Sequence, residues 1–176
     1  MLIGMFNFLL VAAFGLLMRS KIIFPITWFD QKFLMHAHSH FAFSGWVTQV
    51  LMLLLVKEIH GLSAKSKIPF PYHALLGGNL LLSFGMLIGF AWSGYSTFSI
   101  VCSFFIVLLS YVFVLLLWKD LNRRELPMVV KYIFRGALFF NVFSSLGTFG
   151  LAVLKATHSI DTLKQLASVY FYLHFQ

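Results

Sequence analysis

The sequence predicts an all-α protein, a polytopic bundle of transmembrane helices with about five complete spans and a truncated sixth. Three observations predict this class. Of the 176 residues, 60% are hydrophobic and only 10% are charged, whereas a soluble domain carries about 25% charged residues. The mean hydropathy is +0.91. Apolar runs of roughly 20 residues, the length that crosses the hydrocarbon core of a bilayer, recur along the chain between short charged clusters.

Six apolar segments are predicted as the membrane helices, each from its hydropathy and its length. They are approximately residues 1–18, 33–56, 72–92, 97–118, 132–154 and 163–176. The first five are long enough to cross a bilayer, while the sixth has only about a dozen residues. The first begins at Met1 with no polar leader. We therefore expect a single membrane domain over residues 1–176 that is a fragment of a larger subunit.

The lysines and arginines predict the orientation. Five of them fall within residues 119–135, while the connection at 93–97 contains none, and loops rich in basic residues stay on the cytoplasmic side. Alternation along the chain then places the N-terminus inside. Arg19, Lys21 and Lys32 fall outside in this arrangement and argue against it. The net charge of +8 is interpreted as a signal for topology and lipid contact, with no nucleic acid as a partner.

Three histidines begin the second apolar segment. The stretch HAHSH carries His36, His38 and His40, at the outer end of the span in the predicted topology. At about 100° per residue, His36 and His40 share one face of a helix and His38 lies roughly opposite, so one ion cannot bind all three. Ionisable side chains in a span are costly and usually functional, and imidazole is a common ligand of transition metals and haem iron.

The two faces of this helix carry different residues after the histidines. The face of His38 continues through Ala42, Gly45 and Gln49, small or polar residues that let another body approach closely. The face of the other two histidines continues through Ser44, Val47 and Leu51. Either face could point into the bundle, and that of His38 leaves more room for a large planar ligand.

The stretch HAHSHFAFSGWV resembles the second transmembrane helix of subunit I of the haem-copper oxidase superfamily. The similarity is greatest to the branch that contains the C-family oxidases and the nitric oxide reductases. The resemblance implies that His38 is an axial ligand of a low-spin haem. It also implies Ser39 at a hydroxyl position beside the ligand, His40 at a polar position and Gly45 at the family's glycine. His36 is a neighbour of undecided role.

The terminal stretch YFYLHFQ is similar to the start of the sixth helix of the same family. There a histidine in an aromatic setting supplies the first ligand of a second metal, which is copper in the oxidases and non-haem iron in the nitric oxide reductases. His174 takes that position here. The resemblance covers the N-terminal half of the family's helices and implies that the other ligands lie beyond Gln176. This chain alone is therefore not expected to form the binuclear centre.

For the complete protein, the resemblance implies a terminal oxidase or a nitric oxide reductase of the bacterial cytoplasmic membrane. Electrons would enter the haem from a donor subunit or a cytochrome and pass to the second metal, where oxygen or nitric oxide is reduced. Two departures bear on the haem. The family has an arginine a few positions before the haem histidine, and here either Lys32 takes that place or no residue does. In addition, His40 stands where asparagine is usual.

Other functions stay open. A membrane di-iron oxygenase or desaturase uses the H-x-x-x-H spacing that His36 and His40 provide, although such enzymes need further histidine clusters. A non-catalytic membrane protein that handles haem or metal ions is another alternative, and so is a homologue that has lost its cofactors. His60, His73 and His158 fall in loops or at span ends and are assigned no functional role.

Overall fold

A computed structural model describes residues 2–63, 66–157 and 161–175, so that Met1, His158 and Gln176 lie outside the described residues. The described residues form helices with short connections and no strand, which confirms the predicted all-α class. In chain order the elements are α1 (Leu2–Ile23), α2 (Gln31–Phe41), a π-helical segment (Ala42–Thr48), α3 (Gln49–His60), α4 (Phe70–Ser93), α5 (Thr97–Arg123), α6 (Met128–Ala156) and α7 (Thr162–Phe175).

Five helices in the described part of the chain are long and apolar enough to cross a membrane. One of them is composite, because α2, the π-helical segment and α3 follow one another directly from Gln31 to His60. The others are α1, α4, α5 and α6. The sixth apolar segment forms α7, which has 14 residues. These helices indicate an integral membrane protein in contact with the lipid bilayer.

The composite helix extends beyond the apolar segment that predicts it. That segment stops at residue 56, whereas α3 ends at His60. The additional turn contains Lys57 and Glu58, so the hydropathy falls before the helix ends. Gly61 then stops the helix with a φ of 59°, the left-handed conformation that glycine adopts most readily. Hydropathy therefore identifies the span and underestimates its length.

The chain divides into two compact units, Met1–Leu109 and Ser110–Gln176, and each is described by itself. In the first unit, α2 packs against both α1 and α4. A cluster of buried side chains from four helices forms its apolar core: Val11, Ala37, Phe41, Met86, Leu87, Phe90 and Cys102.

In the second unit, α6 packs closely against α7. Gly147 allows this approach, since a Cβ at that position would lie 2.5 Å from the Ser168 carbonyl oxygen and 2.8 Å from the Tyr172 nitrogen. Small residues at a contact let membrane helices approach to backbone distance. Aromatic rings fill the contact beside it, where Phe143 meets Phe175 with ring centroids 5.0 Å apart.

Side-chain amides from two neighbouring helices hold the π-helical segment. Asn7 of α1 donates to the Gly45 carbonyl oxygen. Asn79 of α4 donates to the Ser44 carbonyl oxygen at 3.0 Å and to Gln49 Oε1 at 2.7 Å. A π-helix departs from the regular α-helical hydrogen-bond pattern, and water cannot satisfy displaced carbonyls inside a bilayer. The two asparagines supply donors to two successive carbonyls of the segment.

The π-helical segment also changes the face on which Gln49 lies. Sequence spacing predicts that Gln49 shares the face of His38. Instead, Gln49 contacts α4, where its Nε2 donates to the Leu76 carbonyl oxygen at 3.1 Å, while His38 faces Gly15 of α1. The prediction for Gln49 is wrong because it assumes about 3.6 residues per turn throughout, whereas the wider π turn rotates the residues that come after it.

Candidate functional site

His38 lies on the side of α2 that faces α1. Gly15 is directly opposite, since a Cβ at that position would lie 3.4 Å from His38 Cε1. The imidazole therefore packs against the backbone of α1. Its Nδ1 is buried and has no hydrogen-bond partner among the described residues. Leaving a buried polar atom without a partner costs about 1–3 kcal/mol, and such atoms are often found at functional sites.

A cavity of about 690 Å³ lies beside His38, between the C-terminal half of α1 and the start of α2. Its walls are mainly aliphatic side chains and thioethers, with one guanidinium and one amide. The residues that line it are Gly15, Leu16, Met18, Arg19, Ile22, Gln31, Met35 and His38. Apolar walls with a few polar groups are typical of sites for small molecules and cofactors. This lining suits a ligand with an apolar body and an acidic group.

The other two histidines pack on α4 and on the turn after it. The His40 ring lies flat on Phe90, with centroids 4.3 Å apart and planes 2° apart. His36 meets Tyr95 edge-on at 4.6 Å, and Phe90 and Tyr95 contact each other at 5.1 Å. We call these four residues the aromatic cluster. His38 thus faces one helix and the other two histidines face another, as their spacing predicts.

Tyr95 reaches the aromatic cluster from the turn between α4 and α5. Gly94 precedes it with a φ of 60°, and a Cβ on Gly94 would lie 2.5 Å from the ring of Phe33. Both the conformation and the close contact require glycine at this position. Burial raises the pKa of the Tyr95 phenol above its ordinary value. The ring therefore remains neutral beside the two histidines at physiological pH.

Gly45 and Ser39, two further predicted site residues, belong to the same composite helix. A Cβ on Gly45 would lie 2.6 Å from Phe41 Cε2, so the glycine makes room for that ring. The Gly45 carbonyl oxygen accepts from Asn7. Ser39 is half-buried beside His38. In this structure Gly45 contributes to helix packing and does not line the cavity beside His38.

His174 lies on α7, in the second unit. It is exposed, and its ring meets Phe175 edge-on at 5.0 Å. It lines a shallow groove of about 660 Å³ made of α7 side chains. Within the described ranges, no group of three or more His, Cys, Asp or Glu side chains is placed to hold a metal ion.

The remaining described histidines lie at helix ends, as predicted. His60 is the last residue of α3 and meets the ring of Tyr72 at 5.3 Å. His73 lies in the first turn of α4 and is exposed. Neither lines the cavity beside His38.

Of the eight residues that line the cavity, sequence reasoning identifies only His38 as a site residue. The sequence draws attention to Arg19 only as a basic residue that argues against the predicted orientation. The short connection between Ile23 and Gln31 places the end of α1 beside the start of α2, but it does not indicate which side chains line a cavity there. Lys21 holds that connection, because its Nζ donates to the Ile26 carbonyl oxygen at 2.5 Å and also to the carbonyl oxygen of the loop residue Phe29.

No model of a known protein family matches the chain, and no curated protein or solved structure matches it significantly. The site is therefore interpreted from its own chemistry. It combines the imidazole of His38, the guanidinium of Arg19 and apolar walls around one cavity. An imidazole can ligate a transition metal, and a guanidinium can pair with a carboxylate.

Proposed function

We propose that this chain is a haem-binding membrane protein that functions like subunit I of the haem-copper oxidases, with His38 as an axial ligand of a low-spin haem. One observation carries the proposal. The imidazole of His38 lines an apolar cavity, and its buried Nδ1 has no partner among the described residues. When bound, a haem would supply one-electron redox chemistry at its iron.

The residues around His38 fit a haem in three respects. Gly15 lies opposite the imidazole on α1, where a Cβ would be 3.4 Å from His38 Cε1. Leu16 and Ile22 provide aliphatic wall for a macrocycle. Arg19 contributes a cation at the same cavity, and a guanidinium binds a carboxylate such as a haem propionate strongly and with defined geometry.

In the complete protein, His38 would hold a haem that supplies one-electron chemistry, with a donor subunit or a cytochrome as the redox partner. A second metal, copper or non-haem iron, would supply the chemistry that reduces oxygen or nitric oxide. His174 is the candidate ligand of that metal in this chain. The proposal places the protein in the bacterial cytoplasmic membrane with the N-terminus inside.

Two of the charges that argue against this orientation have local roles in the structure. Lys21 donates to carbonyl oxygens of the connection between α1 and α2. Arg19 lines the cavity beside His38. These contacts give both residues a structural setting, but the positive-inside rule still counts them because they lie close to the end of a span.

Packing supports haem at His38 over a di-iron centre at the other two histidines. A di-iron oxygenase or desaturase would use His36 and His40 as a pair of ligands one turn apart. Both rings contact Phe90 and Tyr95 in the aromatic cluster. The cavity lies on the opposite side of α2, beside His38.

Haem content tests the proposal. The chain would be produced in haem-replete cells, purified in detergent and examined by reduced-minus-oxidised absorbance spectroscopy and by haem extraction. We expect bound haem in the wild type and its loss in His38→Ala. His73→Ala, a change at an exposed histidine in the first turn of α4, serves as the matched control and should retain the haem. A wild-type protein without haem would contradict the proposal, and loss in His40→Phe but not in His38→Ala would place the haem on the other face.

A further inference from the structure

The end of α5 and the start of α6 carry a concentration of positive charge. Lysine or arginine occupies five positions within residues 119–135, against two carboxylates, Asp120 and Glu125. Two of the five, Lys131 and Arg135, are four residues apart in α6, a spacing that places them on the same face of the helix. Like charges at this spacing repel each other, and an anion bound between them would relieve that repulsion.

Arg135 is held in place by side chains of α5. Its Nη2 donates to Asn122 Oδ1 at 2.8 Å, and its Cζ lies 5.6 Å from the centroid of the Trp118 ring, a cation–π contact. Asn122 and Trp118 are four residues apart and share one face of α5. The Nε of Arg135 is buried without a partner among the described residues. The guanidinium is therefore fixed between the two helices, and its Nη1 remains for an acceptor from outside.

Exposed apolar side chains continue the same two faces away from the connection. Leu115, three residues before Trp118, is 71% exposed, and Phe139, four residues after Arg135, is 58% exposed. Both belong to helices that are long and apolar enough to cross a membrane, so they lie deeper in the bilayer than Arg135. Tryptophan is typical of the headgroup level. Cations at the membrane surface with apolar side chains below them match a molecule with an anionic head and an apolar tail.

We infer that Arg135 and Lys131 bind the phosphate of an anionic phospholipid whose acyl chains lie along Leu115 and Phe139. A guanidinium donates well-oriented hydrogen bonds to a phosphate, and an ammonium adds a point charge. Basic residues clustered at the end of a membrane helix are typical of sites for anionic lipids. A zwitterionic lipid has the same phosphate beside a cation of its own and should bind less well. The inference is independent of the histidines and of haem.

Native mass spectrometry of the purified chain in detergent tests the inference, because it counts bound lipids and gives their affinities. The probes are phosphatidylglycerol, which is anionic, and phosphatidylcholine, which is zwitterionic. We expect the wild type to prefer phosphatidylglycerol, and Arg135→Gln and Lys131→Gln each to weaken its binding by about fivefold. Lys164→Gln is the matched control, since it removes the same charge from the same unit, at a lysine that pairs with Asp161 at 3.2 Å. It should bind as the wild type.

Two further measurements separate a specific site from general attraction to a basic surface. Arg135→Lys keeps the charge but loses the planar group that stacks on Trp118, so it should also bind less. Equal affinity for the two lipids, equal weakening in Lys164→Gln or wild-type affinity in Arg135→Lys would each overturn the inference. Release of the lipid by excess inorganic phosphate would overturn it in favour of a site for free phosphate. Lys131 takes no part in the contacts with α5, so Lys131→Gln keeps the test decisive if the Arg135 variants unfold.

Discussion

The two faces of α2 are packed in different ways. On one face, His36 and His40 contact the rings of Phe90 and Tyr95. On the other, His38 lines a cavity of about 690 Å³. Three histidines within five residues therefore have two different environments, because the helix directs alternate positions to opposite sides.

This difference separates a structural role from a binding role. Stacked aromatic rings stabilise a helix contact by about 0.5–1.5 kcal/mol per pair beyond their burial, and the aromatic cluster fixes α2 to α4. A face with an open cavity contributes less to stability and is available to a ligand. A change in the aromatic cluster should therefore lower stability, whereas a change beside the cavity should lower ligand binding.

The largest expected effect is on the stability of the aromatic cluster. Phe90 is 0% exposed, and truncation of a buried phenylalanine leaves a cavity that costs about 3 kcal/mol or more. We expect Phe90→Ala to lower the free energy of unfolding in detergent micelles by about 3 kcal/mol. Ile88→Ala on the same helix is the control, since Ile88 is 65% exposed. Equal losses in the two variants would show that the cluster is not a packing core.

The second prediction concerns the face of α2 on which His38 lines the cavity. Gly15→Leu places a branched side chain against His38, where even a Cβ would lie 3.4 Å from Cε1. Haem binding should weaken by about tenfold or more, a change of about 1.4 kcal/mol, in a titration of the haem-free protein. Gly77→Leu is the control, because nothing lies within 4 Å of a Cβ on Gly77. Unchanged binding in Gly15→Leu would place the ligand elsewhere.

A smaller effect on stability is expected at the contact between α4 and the π-helical segment. Asn79→Leu removes the donor to the Ser44 carbonyl oxygen and to Gln49 Oε1. Such interhelical hydrogen bonds contribute about 1 kcal/mol within a membrane, so unfolding in micelles should require about 1 kcal/mol less. Asn141→Leu is the control, since Asn141 Oδ1 has no partner among the described residues. A larger loss in the control would refute the role of Asn79.

The smallest effect is a dependence on pH. Because burial raises the pKa of Tyr95, the folded state favours the protonated phenol. The contribution of Tyr95 to stability should be fully present below about pH 10, the ordinary value for tyrosine, and be lost as the pH rises through the folded value. Melting temperatures measured from pH 8 upward should show this fall in the wild type and less of it in Tyr95→Phe. Tyr132→Phe, at a phenol with 63% exposure, should keep the wild-type slope.

Much of the fold could be predicted from the sequence, because a membrane span requires a long apolar run. Hydropathy identifies all six helices and misplaces mainly their ends, as at His60. The opposite directions of His38 and His40 also result from helical spacing. These features depend on local composition or local geometry, which one sequence contains.

The rest of the site depends on contacts between distant residues. No local pattern indicates that Asn7 and Asn79 donate to the π-helical segment, or that this segment turns Gln49 towards α4. Likewise, Met18 lines a cavity with His38 only because the ends of α1 and α2 pack together. Helix pairing selects these residues, and an unaligned sequence does not record that pairing.

The most direct test of the central claim compares His38→Gln with His40→Gln in two measurements on the same preparations. Haem content measures ligand binding on the face of α2 that carries His38. The free energy of unfolding of the haem-free protein measures packing on the face that carries His40. We expect His38→Gln to lose haem with little change in unfolding. His40→Gln should keep haem and lose about 1 kcal/mol of stability, the stacking contribution of an aromatic pair. The reverse pattern, or loss of both properties in one variant alone, would contradict the assignment of binding to one face and structure to the other.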